Sequence, residues 1–374
     1  MKVAIVFGTR PEAIKMAPVV AAFRADSAFE TLVCVTGQHR TMLDQVLGIF
    51  GIEPDIDLDI MTPGQSLTDI TVRVLQGMEK VIREHKPDVV LVHGDTTTAM
   101  AAALAAFYHQ VPVGHVEAGL RTRDIMRPWP EEMNRSVIDV VGRWLFAPTP
   151  QARQALLDER IDASRIAVTG NTVIDALLMA SDLIEGDAAR QNAIASDFTY
   201  LDPAKRLLLV TGHRRENFGG GLRRMCEALA RLARRGDVQV VYPVHLNENV
   251  QQAARETLSG VDDVFLIDPL EYLPFIYLMR RSHLIITDSG GIQEEAPSLG
   301  KPVLVTRDVT ERPEAVEAGT ARLVGTDPDV IVREATHLLD SPEAYRRVSE
   351  ITNPYGDGKA AQRILEAIRI GISR

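Results

Sequence analysis

The chain has 374 residues, 45% of them hydrophobic and 25% charged, which excludes a disordered segment, a collagen-like repeat and a small disulfide-rich scaffold. Its 51 acidic and 41 basic residues give a formal net charge of −10. A nucleic-acid partner is therefore not expected, although a local group of Arg, His and backbone N–H donors can still bind one small anion.

The first half alternates short apolar runs with longer helical patterns. The apolar runs are VAIVF, TLVCV, VVLV and VPVGHV. A helical pattern follows each run, and the last of these patterns is EEMNRSVIDVVGRW. Continuous apolar strands separated by helices indicate a parallel sheet covered on both faces. The N-terminal run is too short for a signal peptide and no run is long enough to cross a bilayer, so we expect a cytoplasmic protein.

A polar stretch from Gly186 to Pro203 follows a strand predicted at Ile166–Val168, and the alternation then resumes with RLLLVTG, VQVVYPVH, VFLIDP, LIITDSGG and KPVLVTRD. We predict an α/β fold of two Rossmann-like domains, residues 1–170 and 171–356. In such folds ligands bind beyond the carboxyl ends of the strands, so we expect a cleft between the domains to hold the site.

Two further features concern the tail and the cysteines. NPYGDG predicts a turn before a final amphipathic helix at Ala360–Ile370, and this pattern leaves open which domain the helix packs on. Cys34 lies in a strand-like run and Cys226 in a helical one, without metal or redox spacing, so both are expected to be buried and reduced.

The common cofactor motifs are absent from the sequence. No GxGxxG follows a strand, FGGGLRR at Phe218–Arg224 has the wrong spacing, and neither GxxxxGK[ST] nor HExxH occurs. We therefore expect chemistry by side chains, with no NAD and no metal.

Two turns could bind phosphate. Ser289, Gly290 and Gly291 follow the strand LIIT and open a helix, where free N–H groups attract anions. The alternative is an ordinary helix cap by Ser289. Arg10 follows the first strand and could clamp a diphosphate with Lys15, whose alternative is a solvated helix face.

Carboxylates are the most suggestive group, since two of them directly follow strands and paired carboxylates can divide acid and base roles. They are Asp95, Glu117 and Glu131. As alternatives, Asp95 could cap the next helix, Glu131 could pair with Arg135 four residues on, and Glu117 could pair with Arg121 or Arg123. His213, in GHRREN, could act as an acid or contact a leaving phosphate, or be an ordinary loop residue.

From end to end, the chain resembles the bacterial non-hydrolysing UDP-N-acetylglucosamine 2-epimerases. The segments that carry the resemblance are FGTRPEAIKMAPV, CVTGQHR, LVHGDTTTAMAAALAAFY, VGHVEAGLRT, PWPEEMNR, LLVTGHRREN, VYPVHLN, LIDPLEYLPF, TDSGGIQEEAPSLGKPVLV and TERPEAVEAGT. The resemblance implies a GT-B-like fold whose C-terminal helix, residues 357–374, crosses back to the first domain. It also implies an isomerase that interconverts UDP-GlcNAc and UDP-ManNAc and supplies a ManNAc donor for surface polysaccharides.

From the turns described above and this resemblance, we also assign residues to the substrate. Proton transfer at the sugar falls to Asp95, Glu117 and Glu131, and His213 joins the catalytic set near the leaving UDP. Substrate binding falls to Arg10, Lys15, Arg135, Leu270, Phe275, Ser289, Gly290, Gly291, Glu295 and Arg312. Homodimers and a second UDP-GlcNAc acting as allosteric activator are also implied, with Gln38, His39 and Gln65 as candidate regulatory contacts.

The chemistry of the sugar favours one route. The C2 hydrogen is not next to a carbonyl, and without NAD no transient keto group acidifies it. Loss of UDP from C1 together with the C2 proton avoids an unstabilised carbanion. The alternatives are a hydrolysing epimerase, a GT-B glycosyltransferase and a non-catalytic UDP-sugar sensor, the last of which would need no trio of carboxylates.

Overall fold

The protein is described by a computed structural model over residues 1–37, 40–62 and 64–372. The chain divides into two compact units. Unit 1 comprises Met1–Met179 and Gly356–Arg374, and unit 2 comprises Ala180–Tyr355. The division at Met179 lies inside a helix, nine residues beyond the domain boundary that we predicted at residue 170.

Among its described residues, unit 1 has a seven-stranded parallel sheet in the order β3-β2-β1-β4-β5-β6-β7. The strands are β1 (Lys2–Phe7), β2 (Glu30–Val35), β3 (Ile56–Asp57), β4 (Val89–His93), β5 (Val113–Val116), β6 (Trp144–Ala147) and β7 (Ile166–Val168). The helices between them are α1 (Arg10–Ala25), α2 (Arg40–Phe50), α3 (Leu67–His85), α4 (Thr97–Tyr108), α5 (Glu131–Val141) and α6 (Pro150–Asp158), and α7 (Thr172–Glu185) crosses into unit 2.

The strand order of unit 1 reverses between β1 and β4, which are neighbours in the sheet. At such a switch point the connections leave in opposite directions and open a crevice at the carboxyl ends of the strands. The turns after β1 and β4 are therefore the positions where this unit is built to hold a ligand.

A buried carboxylate, Glu12, joins these two turns. Its Oε2 accepts hydrogen bonds from the backbone N–H groups of Gly8 (3.0 Å) and Thr9 (2.8 Å), and its Oε1 accepts one from the Thr96 hydroxyl (2.6 Å). Thr9 caps α1 in return and Thr96 caps α4 through Ala99 N–H. Only 2% of Glu12 is exposed, so this carboxylate fixes both turns from inside the protein.

In unit 2 the described part of the chain forms a six-stranded parallel sheet in the order β10-β9-β8-β11-β12-β13. The strands are β8 (Arg206–Thr211), β9 (Val238–Pro243), β10 (Val264–Ile267), β11 (Leu284–Thr287), β12 (Val303–Val305) and β13 (Ala321–Leu323). The helices are α8 (Ala188–Ser196), α9 (Gly220–Ala233), α10 (Glu248–Leu258), α11 (Tyr272–Arg281), α12 (Gly290–Glu295), α13 (Pro313–Ala318), α14 (Pro328–Asp340) and α15 (Pro342–Ser349). Here the order reverses between β8 and β11.

The last helix, α16 (Ala360–Ile372), packs on unit 1. Ile364, Leu365 and Ile368 are buried in the core cluster that contains β1 and α1. The Asp175 carboxylate accepts hydrogen bonds from the first two N–H groups of the helix, at 3.2 and 2.8 Å. This confirms the C-terminal helix that the resemblance predicts on the first domain.

One local prediction is wrong, and one stretch to which we assigned no element contains a helix. We predicted that the helix of EEMNRSVIDVVGRW runs to Trp144, but Gly142 ends it in an extended conformation, and Trp144–Ala147 forms β6 between β5 and β7. The polar stretch after Gly186 contains α8, which Asp187 caps by accepting from the N–H groups of Ala189 and Arg190. Four residues of β6 are too few to show a strand period beside a strong helix signal.

Both cysteines are buried and free, as predicted. Burial raises the pKa of the Cys34 thiol, and that of the Cys226 thiol, to about 12. No helix in the described ranges is long and apolar enough to cross a membrane.

Candidate active site

The three predicted carboxylates of unit 1 stand at the carboxyl edge of its sheet. Asp95 follows β4, Glu117 follows β5, and Glu131 is the first residue of α5. Contacts link their surroundings: Asn134 and Arg135 of α5 both bond to Asp95, and Glu117 lies 3.5 Å from the His93 ring at the end of β4.

Glu117 forms a largely buried ion pair with Lys15 of α1. Its backbone is left-handed, with φ of 70°, a strained conformation for a residue with a side chain. Burial alone would raise the pKa of Glu117, but Lys15 and then His93 outweigh it and hold that pKa well below its ordinary value. In the unliganded protein Glu117 is therefore a carboxylate.

The structure contradicts the alternatives for these two residues. Arg121 binds Asp139 and Glu159, and Arg123 binds Asp158, so neither arginine is the partner of Glu117. The Lys15 side chain is only 17% exposed, so the solvated helix face is wrong for Lys15.

Asp95 and Glu131 have different surroundings. The Asp95 carboxylate accepts from Arg135 at 2.5 Å, and its carbonyl accepts from Asn134 at 2.9 Å. Thr96, not Asp95, caps α4. Arg135 also lies 3.4 Å from Glu132, and the predicted pair with Glu131 does not form. Glu131 Oε2 is buried and has no hydrogen-bond partner among the described residues, which is unusual for a carboxylate oxygen and typical of a functional position.

His93 was missed from the sequence. Neither of its ring nitrogens has a partner within hydrogen-bond geometry in the described part of the chain, although the side chain is buried. A signal was present, because His93 directly precedes the Gly94-Asp95 turn, but it lies within the apolar run and reads as part of the strand.

In unit 2 the turns after β8 and β11 are joined by Asp288. This buried carboxylate accepts from the backbone N–H groups of His213 and Arg214 through Oδ2, at 2.8 Å each. Its Oδ1 lies 3.6 Å from His213 Nδ1 and has no hydrogen-bond partner among the described residues. Burial lowers the pKa of His213, a trend that Asp288 opposes and His245, stacked on the ring at 5.2 Å, reinforces.

Ser289, Gly290 and Gly291 follow Asp288 and begin α12. The Ser289 side chain makes no capping hydrogen bond, so the interpretation of Ser289 as an ordinary helix cap is wrong. Arg312 pairs with Glu294 of α12. The Cζ atom of its guanidinium lies 3.7 Å from the position that a Cβ atom at Gly290 would occupy. The start of α12 therefore lies beside a cation.

Comparisons with known proteins agree with this fold. A family model described as UDP-N-acetylglucosamine 2-epimerase matches residues 21–369. A UDP-N-acetylglucosamine 2-epimerase of Yersinia pestis is 59% identical over 370 residues, which cover 99% of this chain and 98% of that protein. The chain belongs to the UDP-N-acetylglucosamine 2-epimerase family.

Solved structures of this family have the same fold. The Neisseria meningitidis UDP-GlcNAc 2-epimerase bound to UDP-GlcNAc superposes with a TM-score of 0.88, at 50% identity, covering 99% of this chain and all of that one. The Methanocaldococcus jannaschii enzyme in complex with UDP-GlcNAc and UDP gives a TM-score of 0.78 at 33% identity, with 99% of this chain and all of that one covered. The predicted family, the enzyme class and the α/β, GT-B-like fold are confirmed.

Other positions assigned by the family resemblance are spread over both units. Arg10 begins α1 and is half-buried. Leu270 and Phe275 are half-buried. Leu270 lies two residues before α11, Phe275 lies in the first turn of that helix, and Glu295 ends α12. Their roles stay predictions.

The candidate regulatory residues are less informative. Gln65 bonds locally, accepting from the Thr62 N–H and hydroxyl at 3.1 Å each. Gln38 and His39 lie outside the described residues.

Proposed function

We propose that the chain interconverts UDP-GlcNAc and UDP-ManNAc by eliminating UDP and adding it back to the other face of the sugar. The observation that carries this proposal is the set of three carboxylates with different surroundings. Glu117 is paired with Lys15, Asp95 is paired with Arg135, and Glu131 has an oxygen without a partner among the described residues. Carboxylates in unlike environments can divide acid and base roles.

In the proposed reaction the C1–O bond to UDP breaks with its electron pair leaving on the phosphate. A carboxylate of unit 1 takes the C2 proton, and the C1–C2 double bond of 2-acetamidoglucal forms. The reverse steps return a proton to C2 from the opposite face and rejoin UDP at C1. Glu117 is already ionised in the free enzyme, which suits it to accept the first proton.

We assign the UDP moiety to unit 2. Gly290 and Gly291 offer backbone N–H groups to the phosphates and Ser289 offers its hydroxyl, since the Ser289 N–H already donates to the Thr287 hydroxyl; Arg312 lies beside them. Because burial lowers the pKa of His213, its imidazole is neutral near pH 7 and can donate one hydrogen bond to the leaving phosphate. Phe275 is assigned to uracil, Glu295 to the ribose and Arg10 to the diphosphate, and Leu270 is assigned to the substrate as a whole.

The test is incubation of the purified protein with UDP-GlcNAc in deuterated water, followed by NMR of the sugar. We expect UDP-ManNAc with deuterium at C2. Free ManNAc would instead identify a hydrolysing epimerase, and turnover only with an added acceptor would identify a glycosyltransferase. Binding without turnover would identify a sensor.

Glu117→Gln tests the assignment of the base. We expect the variant to lose exchange at C2 by about 100- to 10,000-fold, the usual contribution of a general base, while still binding UDP. Glu84→Gln, an exposed carboxylate on α3, is the matched control and should exchange normally. An active Glu117→Gln enzyme would remove Glu117 from proton transfer.

Four broader assignments belong to the same proposal. We propose a homodimer, activation by a second UDP-GlcNAc, supply of ManNAc donors for surface polysaccharides, and a cytoplasmic location. Sedimentation velocity tests the first. Dependence of the initial rate of the reverse reaction on added UDP-GlcNAc tests the second, in wild type and in a Gln65→Ala variant.

A further inference from the structure

A buried histidine that the proposed mechanism does not use lies beneath the Asp95 turn. His115 is the third residue of β5, and its side chain is 0% exposed. Its Nε2 lies 2.7 Å from the carbonyl oxygen of Gly94, and its Nδ1 lies 2.6 Å from Asp139 Oδ1. Both ring nitrogens are therefore within short hydrogen-bond distance of an oxygen.

The partners determine where the protons are. A carbonyl oxygen can only accept, so Nε2 carries a proton and donates it to Gly94. The other oxygen of Asp139 accepts from Arg121 at 2.7 Å and from the Gly119 N–H at 3.3 Å. Although burial would raise the pKa of Asp139, His115 and Arg121 outweigh it and lower that pKa.

Because the Asp139 carboxylate also binds the Arg121 guanidinium and the Gly119 N–H, it is held in its ionised form and can only accept, so Nδ1 of His115 carries a proton as well. His115 is thus an imidazolium with donors on both sides. The charges around it balance, because Arg121 also binds Glu159 at 2.7 Å, which gives two cations and two carboxylates in one chain of contacts.

The same network holds the candidate catalytic turn in place. Gly94 is left-handed, with φ of 66°, and directly precedes Asp95. Helix α5 reaches this turn three times: Arg135 binds the Asp95 carboxylate, Asn134 binds its carbonyl, and Asp139, one helical turn after Arg135, binds the histidine that bonds to Gly94. Without His115 the carbonyl of Gly94 would lose its donor from β5.

We propose that His115 is a positioning residue, a buried imidazolium that fixes the Gly94–Asp95 turn and so aims the Asp95 carboxylate at the sugar. The inference rests on the proposed function, in which Asp95 acts at the substrate. His115 contacts no reacting atom in this scheme and acts through Gly94. A misplacement of a reacting group by about 1 Å costs roughly 100-fold in rate, so a catalytic consequence is expected from this backbone contact alone.

The first test uses the wild-type protein and does not depend on activity. In a protein labelled with ¹⁵N at histidine, both His115 nitrogens should show attached protons. A neutral tautomer would overturn the proposal.

The second test replaces the ring by one of similar shape without donors. For His115→Phe we expect kcat to fall about 100-fold, with KM and the Kd for UDP within about threefold of wild type. His109→Phe is the control, because His109 ends α4 at the edge of the sheet away from the Asp95 turn. Equal kcat in His115→Phe and wild type would refute positioning, as would a loss confined to KM.

If His115→Phe does not fold, Asp139→Asn gives the same information. Asparagine keeps the shape of Asp139 but removes the negative charge that faces His115 and Arg121, so we expect the ring to lose one proton in the ¹⁵N spectrum and kcat to fall. An unchanged imidazolium with unchanged kcat would overturn the proposal. Failure of the proposed function is a separate result, because wild type itself would then show no exchange at C2.

Discussion

Replacement of Glu12 tests how much this buried carboxylate stabilises the turns after β1 and β4, which it joins. Glu12→Ala leaves the N–H groups of Gly8 and Thr9 without their acceptor and the Thr96 hydroxyl without its acceptor. An unsatisfied buried donor costs about 1–3 kcal/mol. Since Gly8 is buried and Thr9 is half-buried, we expect Glu12→Ala to lower the free energy of unfolding of unit 1 by about 3–4 kcal/mol.

Glu12→Gln should cost less. The carbonyl oxygen of the glutamine side chain can still accept the hydrogen bonds from both backbone N–H groups. Its NH₂ group, however, would face the Thr96 hydroxyl, which now donates to Glu12. The charge assistance is lost and the hydroxyl proton has no partner, so we expect about 1–2 kcal/mol. The order wild type, Gln, Ala follows from the number of hydrogen bonds each side chain can keep.

The assay can be restricted to unit 1. Both tryptophans of the chain, Trp129 and Trp144, lie in this unit, and Trp144 is buried in β6. Urea unfolding followed by tryptophan fluorescence therefore reports the stability of unit 1, and Glu84→Ala, at an exposed position of α3, serves as the control. Equal midpoints for Gln and Ala, or an Ala variant within about 1 kcal/mol of wild type, would refute the reasoning.

Three further substitutions test other contacts. Lys15→Met removes the charge that most strongly lowers the pKa of Glu117, so that pKa should rise and the acid limb of kcat/KM should move to higher pH; a pH–rate profile with an unmoved limb would contradict this. Asp288→Asn removes a charge that raises the pKa of His213, so a histidine NMR titration should show that pKa falling further below its ordinary value, and a rise would disprove the assignment. Ile364→Ala opens a cavity where α16 meets the core of unit 1 and should cost about 2–5 kcal/mol in the fluorescence assay; an unchanged midpoint would mean that α16 adds no stability.

Much of the fold could be predicted because its strands are long apolar runs. β1, β4, β8 and β11 sit at the centre of their sheets, and burial on both faces produces an unbroken apolar signal. β6 was not predicted because its four residues directly follow a strong helical pattern. β13 was not predicted because it has three residues and one of them is the charged Arg322. Short strands at or near the edge of a sheet leave little trace in a single sequence.

The candidate site was predictable only in part, for a different reason. Residues such as Asp95, Glu117 and His213 follow strands, and the topology of parallel sheets places such positions at a ligand edge. Their partners are set by packing instead. Glu117 meets Lys15 across 102 positions of sequence, and Asp95 meets Arg135 across 40. Local spacing therefore suggested partners for these carboxylates that do not form.

The discontinuity of unit 1 constrains how the chain is made. Unit 2 is one continuous stretch, so all of its residues are available before α16 has been synthesised. The apolar surface of unit 1 that Ile364 and Ile368 cover stays exposed until α16 has been made, which is after the whole of unit 2. During synthesis the second unit can therefore complete its core before the first unit does.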